Sequence, residues 1–205
     1  MANFSVDSFK GAFRGGARPN LFKAFVTPPD FGRISKSAAS TFEYVCQTAN
    51  LPGETVGIIE QPFMGRVYKI PGNRTFEDWT TTIVNDEDFH LRTMFEEWSQ
   101  LLGGNVNNKW STPNPSQVYA GKLAVIQYSR TGAGVREYQF FNAWPSAITA
   151  IELGWDTNDA VETYDVTWTY SWHESKGPGE SILDSLASGW STISEFRKNE
   201  QDTDY

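Results

Sequence analysis

The side chains able to carry chemistry are few, and their spacing is wrong for it. A zinc-type site needs three or four His, Cys or carboxylate ligands that converge on one point. The chain has two histidines, His90 and His173, and one cysteine, Cys46, far apart in sequence. Nucleophilic catalysis needs a thiol or hydroxyl activated by a neighbouring base. Cys46 instead alternates with Phe42 and Tyr44 in TFEYVCQT, the apolar face of an expected strand, where a thiol is buried and inert. General acid–base work by a carboxylate pair needs two carboxyls on one side of the backbone. Glu77 and Asp78 are adjacent in an extended segment, so they point to opposite faces and cannot share a proton. Glu96 and Glu97 lie outside the apolar stripe of an expected helix and read as solvated. Gly103-Gly104 follows that helix, where glycine supplies a left-handed stop rather than a phosphate cradle. No phosphate-loop, nucleophile-elbow or zinc-protease pattern occurs. These residues point to no catalytic group, no metal and no cofactor, and both histidines read as structural.

Composition narrows the remaining classes. A length of 205 residues suits one domain with an appendage and allows a real core. Eight Trp, eight Tyr and fourteen Phe are incompatible with a disordered chain. The net charge of −8 disfavours a protein that grips phosphates. A lone cysteine forbids an intrachain disulfide and fits a reducing compartment. The N-terminus MANFSVDSFKGAF shows no leader pattern, and no run approaches a membrane span of about 20 apolar residues. The expectation is a soluble chain made in the cytoplasm.

The elements follow from periodicity. Residues 1–20 are polar and glycine-rich and read as an arm or loop. LFKAFVTPP reads as a strand closed by Pro28-Pro29, SKSAAS as a loop, and TFEYVCQT as a second strand. TVGIIEQPFMGRVYKI reads as a strand pair or a long excursion. In 76–84, Trp79, Thr81 and Ile83 alternate with Thr80, Thr82 and Val84. A helix is predicted over 86–102, capped by Asn85 or Asp86 with an acidic first turn. Its apolar stripe is Phe89, Leu91, Met94, Phe95, Trp98, Leu101 and Leu102. KLAVIQYSR and VREYQFFNAW form a hairpin around TGAG, and Ile151, Leu153 and Trp155 suggest a further strand. In VETYDVTWTYSW, Tyr164, Val166, Trp168, Tyr170 and Trp172 face one way, and Thr163, Asp165, Thr167, Thr169 and Ser171 the other. After KGPGE, residues 181–197 read as an amphipathic helix with Ile182, Leu183, Leu186, Trp190, Ile193 and Phe196 in one stripe. The organisation is a domain over 1–174, including the 1–20 arm, and a C-terminal extension over 175–205.

Two strands thus combine an aromatic face with a Thr-rich face. An antiparallel sheet with one wet side explains this at the least specific level. A carbohydrate-binding β domain is the alternative from a different class. It needs exposed aromatic platforms, whereas most aromatics here fall on faces that burial explains.

The order of motifs is more specific than any one of them. ARPNLF (17–22), C-x-x-A-x-L-P-G (46–53), PFMGR (62–66), GNRTFEDWTTTIVNDE (72–87), FEEW (95–98), IQYSR (126–130), WP (144–145), LGWD (153–156) and ETYDVT (162–167) follow in sequence. Over about residues 17–172 the chain resembles the tail tube protein family of contractile-tailed bacteriophages. The resemblance implies a mainly β, sandwich- or barrel-like fold with one flanking helix. It implies a structural, non-enzymatic subunit of the virion, made in the host cytoplasm, whose hexameric rings stack into a tube that DNA traverses. Its partners would be further copies of itself, the tail sheath protein, and the baseplate and tail terminator proteins. A bacteriocin or type VI secretion-like tube, or a tube initiator or terminator, shares that fold. Trp79, Ile83, Phe95, Trp98, Tyr164, Val166 and Trp168 would form the core. Thr80, Thr82, Thr163, Asp165, Thr167 and Thr169 would line the lumen; alternation alone leaves the sheath side open to them as well. Phe63, Met64 and Arg66, in the segment resembling the family's projecting hairpin, would contact the adjacent ring, with a local core contact open for Phe63. Arg18, Pro19 and Asn20 match the N-terminal motif and would join them at interfaces. Arg74 would pair with Asp78 or with an acidic group on a neighbouring subunit.

Overall fold

A computed structural model describes residues 5–13, 16–29, 34, 36–104, 119–156 and 160–177. Strands dominate. Helix α1 (Val6–Phe13) precedes β1 (Phe22–Thr27), a 3-10 turn (Lys36–Ser40), α2 (Phe42–Val45) and β2 (Cys46–Ala49). A long hairpin of β3 (Glu54–Phe63) and β4 (Arg66–Phe76) leads into β5 (Trp79–Val84) and α3 (His90–Leu102). The remaining strands are β6 (Gly121–Tyr128), β7 (Gly134–Ile148), β8 (Thr163–Thr169) and β9 (Trp172–Lys176).

The main sheet has seven strands in the order β1-β6-β7-β8-β5-β2, with β9 also on β7, and all its pairings are antiparallel. β7 is the shared spine. Its first half pairs with β6 and β9, its second half with β8. Between the halves Asn142 adopts a left-handed conformation (φ 54), and a register slip follows between Pro145 and Ala147. Such irregularities bend a strand sharply. They fold the sheet into two layers that enclose the core.

The core is aromatic. Trp79 stacks on Phe140 with centroids 4.6 Å apart, and α3 inserts Phe95 and Trp98 against Trp168 at 5.4 and 5.6 Å. Each such side chain, fully buried, contributes about 1.5–3 kcal/mol before entropy is counted. The seven residues assigned to the core from sequence are all buried. The indole N–H groups find acceptors: Trp79 donates to Asn50 O (2.5 Å), Trp98 to Tyr119 O (2.8 Å) and Trp168 to Thr81 Oγ1 (3.0 Å). Buried Thr81 is thereby a polar member of the aromatic face. Gly121 lies so close to the Trp98 ring and the Thr27 carbonyl that a Cβ has no room.

Several local expectations are corrected. Residues 6–13 are helical, not loop; Val6, Phe9 and Phe13 sit at helical spacing and none of α1 is buried. Residues 42–45 form a helical turn instead of a strand, since four alternating residues do not distinguish the two. Phe42 is therefore buried against Phe95, whereas Tyr44 is exposed under the Lys23 ammonium. α3 begins at His90 rather than 86, because residues 86–89 make a tight turn ending in left-handed Phe89 (φ 55). Neither Asn85 nor Asp86 caps it, and Gly103 is extended rather than left-handed. Leu153 and Trp155 are exposed and belong to no strand. The 163–172 strand breaks at residues 170–171, where the chain crosses from β8 to the other layer. The break turns Trp172 away from the core to stack on Phe141, 5.3 Å away. The helix expected over 181–197 lies outside the described residues.

Candidate assembly surfaces

Three surfaces hold the residues singled out in the sequence. The first is the outer side of the β5–β8 pair. Thr80 faces Thr167 across the ladder, Thr82 faces Asp165, and Val84 faces Thr163. The alternate positions pair Trp79 with Trp168 and Ile83 with Tyr164 on the core side. Thr80, Thr82, Thr163, Asp165, Thr167 and Thr169 therefore form one continuous patch, in which Thr163 is exposed and the others half-buried. The Thr169 hydroxyl donates to Asp78 Oδ1 at 3.0 Å, and the Asp165 N–H donates to Thr149 Oγ1 at 2.8 Å. The patch carries the carboxylates Asp78 and Asp165, short hydroxyls, and no cation among the residues named.

The second surface is the β3–β4 hairpin, a two-stranded sheet of its own. Ten residues in β3, at about 3.3 Å each, extend it roughly 30 Å. Every residue of β3 is exposed. Ile58, Ile59, Phe63, Val67 and Tyr68 are more than half exposed, and Met64 at the tip reaches 89%. The tip turns through Met64 and Gly65, both at positive φ (46 and 80). That is the geometry of a two-residue hairpin turn matching the strand twist, and glycine is the residue that adopts it without strain. Phe63 makes no core contact, which removes the local-packing alternative for it. Arg66 is paired across the tip with Phe63. Arg74 bonds Glu54 at 3.2 Å at the hairpin base, not Asp78, which accepts from Thr169.

The third surface is the approach to β1. Arg18, Pro19 and Asn20 are exposed in a turn whose Arg18 carbonyl accepts from Leu21 N–H and from Gln127 Nε2, both at 3.4 Å.

Burial pushes the Cys46 thiol up to about 12, and its Sγ–H points at the Thr48 carbonyl at 3.4 Å. Burial lowers the pKa of His173, which sits among Phe76, Phe140 and Tyr170. His90 lies 3.9 and 3.8 Å from Asp86 and Asp88 on the surface. Among the described residues no three His, Cys or carboxylate side chains converge as metal ligands. Sequence reasoning missed the accessibility of both hairpin faces. A signal for it was present in apolar residues at both odd and even positions of TVGIIEQPF, as in a strand with no wet side.

Comparison with known proteins agrees with this geometry. Residues 17–176 match the family described as phage tail tube protein. The chain is 31% identical over 172 residues to tail tube protein gp19 of Enterobacteria phage T4, covering 82% of this chain and 99% of that protein. The same figures hold for gp19 of Enterobacteria phage T6. The fold of the present chain is similar to that of a chain of the PVC sheath–tube complex, an extracellular contractile injection system in the extended state. That likeness has TM-score 0.54 and 14% identity, over 85% of this chain and 99% of that one. A chain of the tube-terminating cap of the anti-feeding prophage is similar too, with TM-score 0.56 and 13% identity over 79% of this chain and 91% of that one. The chain thus belongs to the phage tail tube protein family, and it is a structural tail tube protein, not an enzyme.

Proposed function

We propose that hexameric rings of this chain stack into the inner tube of the tail, and that each ring is fastened to the next by the β3–β4 hairpin. The hairpin carries this reading. A two-stranded ribbon is marginal alone in water, and one that exposes large apolar side chains along its length marks an interaction site. Phe63, Met64 and Arg66 at its tip, with Arg18, Pro19 and Asn20, form the contacts between copies. Arg74 holds the hairpin base through Glu54.

The Thr80–Thr167 patch lines the bore. DNA passes without being held there, because each cation facing a phosphate would add a salt-dependent attraction. Hydroxyls with Asp78 and Asp165 supply none, and their charge repels phosphate within about 8 Å at physiological salt. The tail sheath protein surrounds the tube, and baseplate and terminator proteins close its ends. Assembly takes place in the host cytoplasm, and the product is part of the virion.

Electron cryo-microscopy of the purified chain at high concentration tests this. Stacked six-membered rings with Thr80 and Thr167 on the inner wall are expected. Persistent monomers would overturn the assembly reading, and a bore lined by another face would overturn the assignment of the Thr rows.

A further inference from the structure

Among the described residues the β3–β4 hairpin pairs with no other strand, so its direction is fixed at its root. There Glu54, the first residue of β3, stands opposite Phe76, the last of β4. His173 of β9 lies against both. Its ring meets Phe76 edge-on with centroids 5.1 Å apart, and its Nε2 is 3.9 Å from Glu54 Oε2. Arg74 Nη1 reaches the same carboxylate oxygen at 3.2 Å. Register sets His173 beside Phe140, so its side chain extends the core face of β7, and it is only 8% exposed. Phe76, Tyr138, Phe140 and Tyr170 surround it. Its Nδ1 is buried without a partner among the described residues, and so is the Tyr170 hydroxyl. A ribbon of roughly 30 Å is a lever, and a tilt of about 10° at this root carries the tip about 5 Å.

We propose that His173 is the residue that positions the hairpin: as a neutral imidazole it seats Phe76 and the Glu54–Arg74 pair against β9, and on gaining a proton it unseats them. An imidazolium carries two N–H donors, and each needs an acceptor when buried. Nδ1 has none, since it lies among aromatic rings and makes no hydrogen bond to the Tyr170 hydroxyl. Nε2 has only Glu54 Oε2, which stands beyond hydrogen-bond distance and already serves Arg74. The protonated ring therefore draws Glu54 from Arg74 or turns out towards water, and either movement shifts the root. The remaining charged groups offer no acceptor. Arg136 of β7 lies over Tyr138 at 5.8 Å and donates to Ser175. Glu77 and Asp78, between β4 and β5, act on Tyr170, and Asp78 accepts from Thr169. Glu174 is next in β9 and points to the opposite face. Burial lowers the His173 pKa below the ordinary 6.5, with Glu54 opposing and Arg74 reinforcing the effect. The folded chain thus binds this proton less tightly than the unfolded one. The seat is intact above 6.5 and is lost progressively as pH falls below it. The consequence for ring stacking rests on the assembly reading, whereas the hairpin's direction belongs to the single chain.

The test uses dilute, unassembled full-length chain in a Cys46→Ser background. Spin labels are placed on Met64→Cys at the hairpin tip and Gln100→Cys on the exposed side of α3. Double electron–electron resonance should give one narrow distance distribution at about pH 8. At about pH 5 its mean or width should change by at least about 5 Å. His173→Phe keeps an aromatic ring against Phe76 without a titrating group, so its distribution should stay narrow at both. Identical wild-type distributions at the two pH values would overturn the inference. So would broadening at acid pH that His173→Phe shares, since another group would then be its source. Sedimentation of concentrated, unlabelled chain reads the consequence: tube yield should fall about tenfold or more between the same pH values in wild type and hold in His173→Phe. A hairpin that moves while tube yield holds supports the role of His173 and overturns the fastening of rings by the hairpin. A pH-dependent yield with a fixed hairpin overturns the role of His173.

Discussion

Thr81 and Glu137 show how much a single buried polar atom decides. Thr81 Oγ1 is the acceptor for the Trp168 indole and donates to the Val166 carbonyl at 3.4 Å. Thr81→Val leaves the indole N–H unpaired in the core and should cost about 1–3 kcal/mol in urea unfolding, with Ser recovering part of it. Gly121→Ala should also destabilise, by about 1–3 kcal/mol, because neither the Trp98 ring nor the Thr27 carbonyl can give way. Glu137 gives a pH signature. Burial raises its pKa above 4.5, against the opposing effects of Gln139 and Lys176. The folded state therefore holds this proton more tightly than the unfolded chain does. Stability is undiminished below 4.5 and declines as pH rises from there through the folded pKa. Glu137→Gln should abolish that decline and raise the melting temperature at pH 7, as measured by calorimetry across pH 4–8.

Among the elements, the hairpin and α3 illustrate opposite uses of apolar residues. α3 buries Leu91, Met94, Phe95 and Trp98 inside the domain, so these four were legible from helical spacing, whereas Phe89 lies before the helix and is exposed. The strand faces of β5 and β8 were equally legible, because a period of two with Trp and Thr on alternate positions has one consistent burial. What the sequence obscured has a physical source in each case. Four alternating residues at 42–45 fit one helical turn as well as a strand, and packing of Phe42 on Phe95 decided it. The break at 170–171 preserves the alternation up to Tyr170 and then turns the chain over, so Trp172 reads as core until the pairing with β7 is known. The ends of α3 depend on left-handed Phe89 and extended Gly103, which no side-chain pattern announces. For the hairpin, Phe63→Asp with Met64→Asp should leave the melting temperature of the isolated chain nearly unchanged, within about 0.5 kcal/mol. It should weaken assembly more than tenfold in sedimentation, since each apolar side chain buried between copies contributes about 1.5–3 kcal/mol.

For the whole molecule, the charge balance and the sheet form one design. The formal charge of −8 is compatible with a conduit for a polyanion provided that the wall presents no cations. Thr80→Lys with Thr167→Lys should preserve tube formation and create DNA retention that falls steeply as salt rises. Co-sedimentation of tubes with linear DNA at graded ionic strength measures it, and wild-type tubes should retain none at any salt. A further mechanical consequence lies in β7. Because one unbroken backbone runs through both layers, a pull on one wall reaches the other through covalent bonds rather than through side-chain friction. The layers cannot slide past each other without unzipping ladders or flexing at Asn142 and at the 170–171 break. The subunit should therefore deform as a hinged plate whose weak line runs through Asn142 and the 170–171 break, and axial or torsional loads on it should be felt first there.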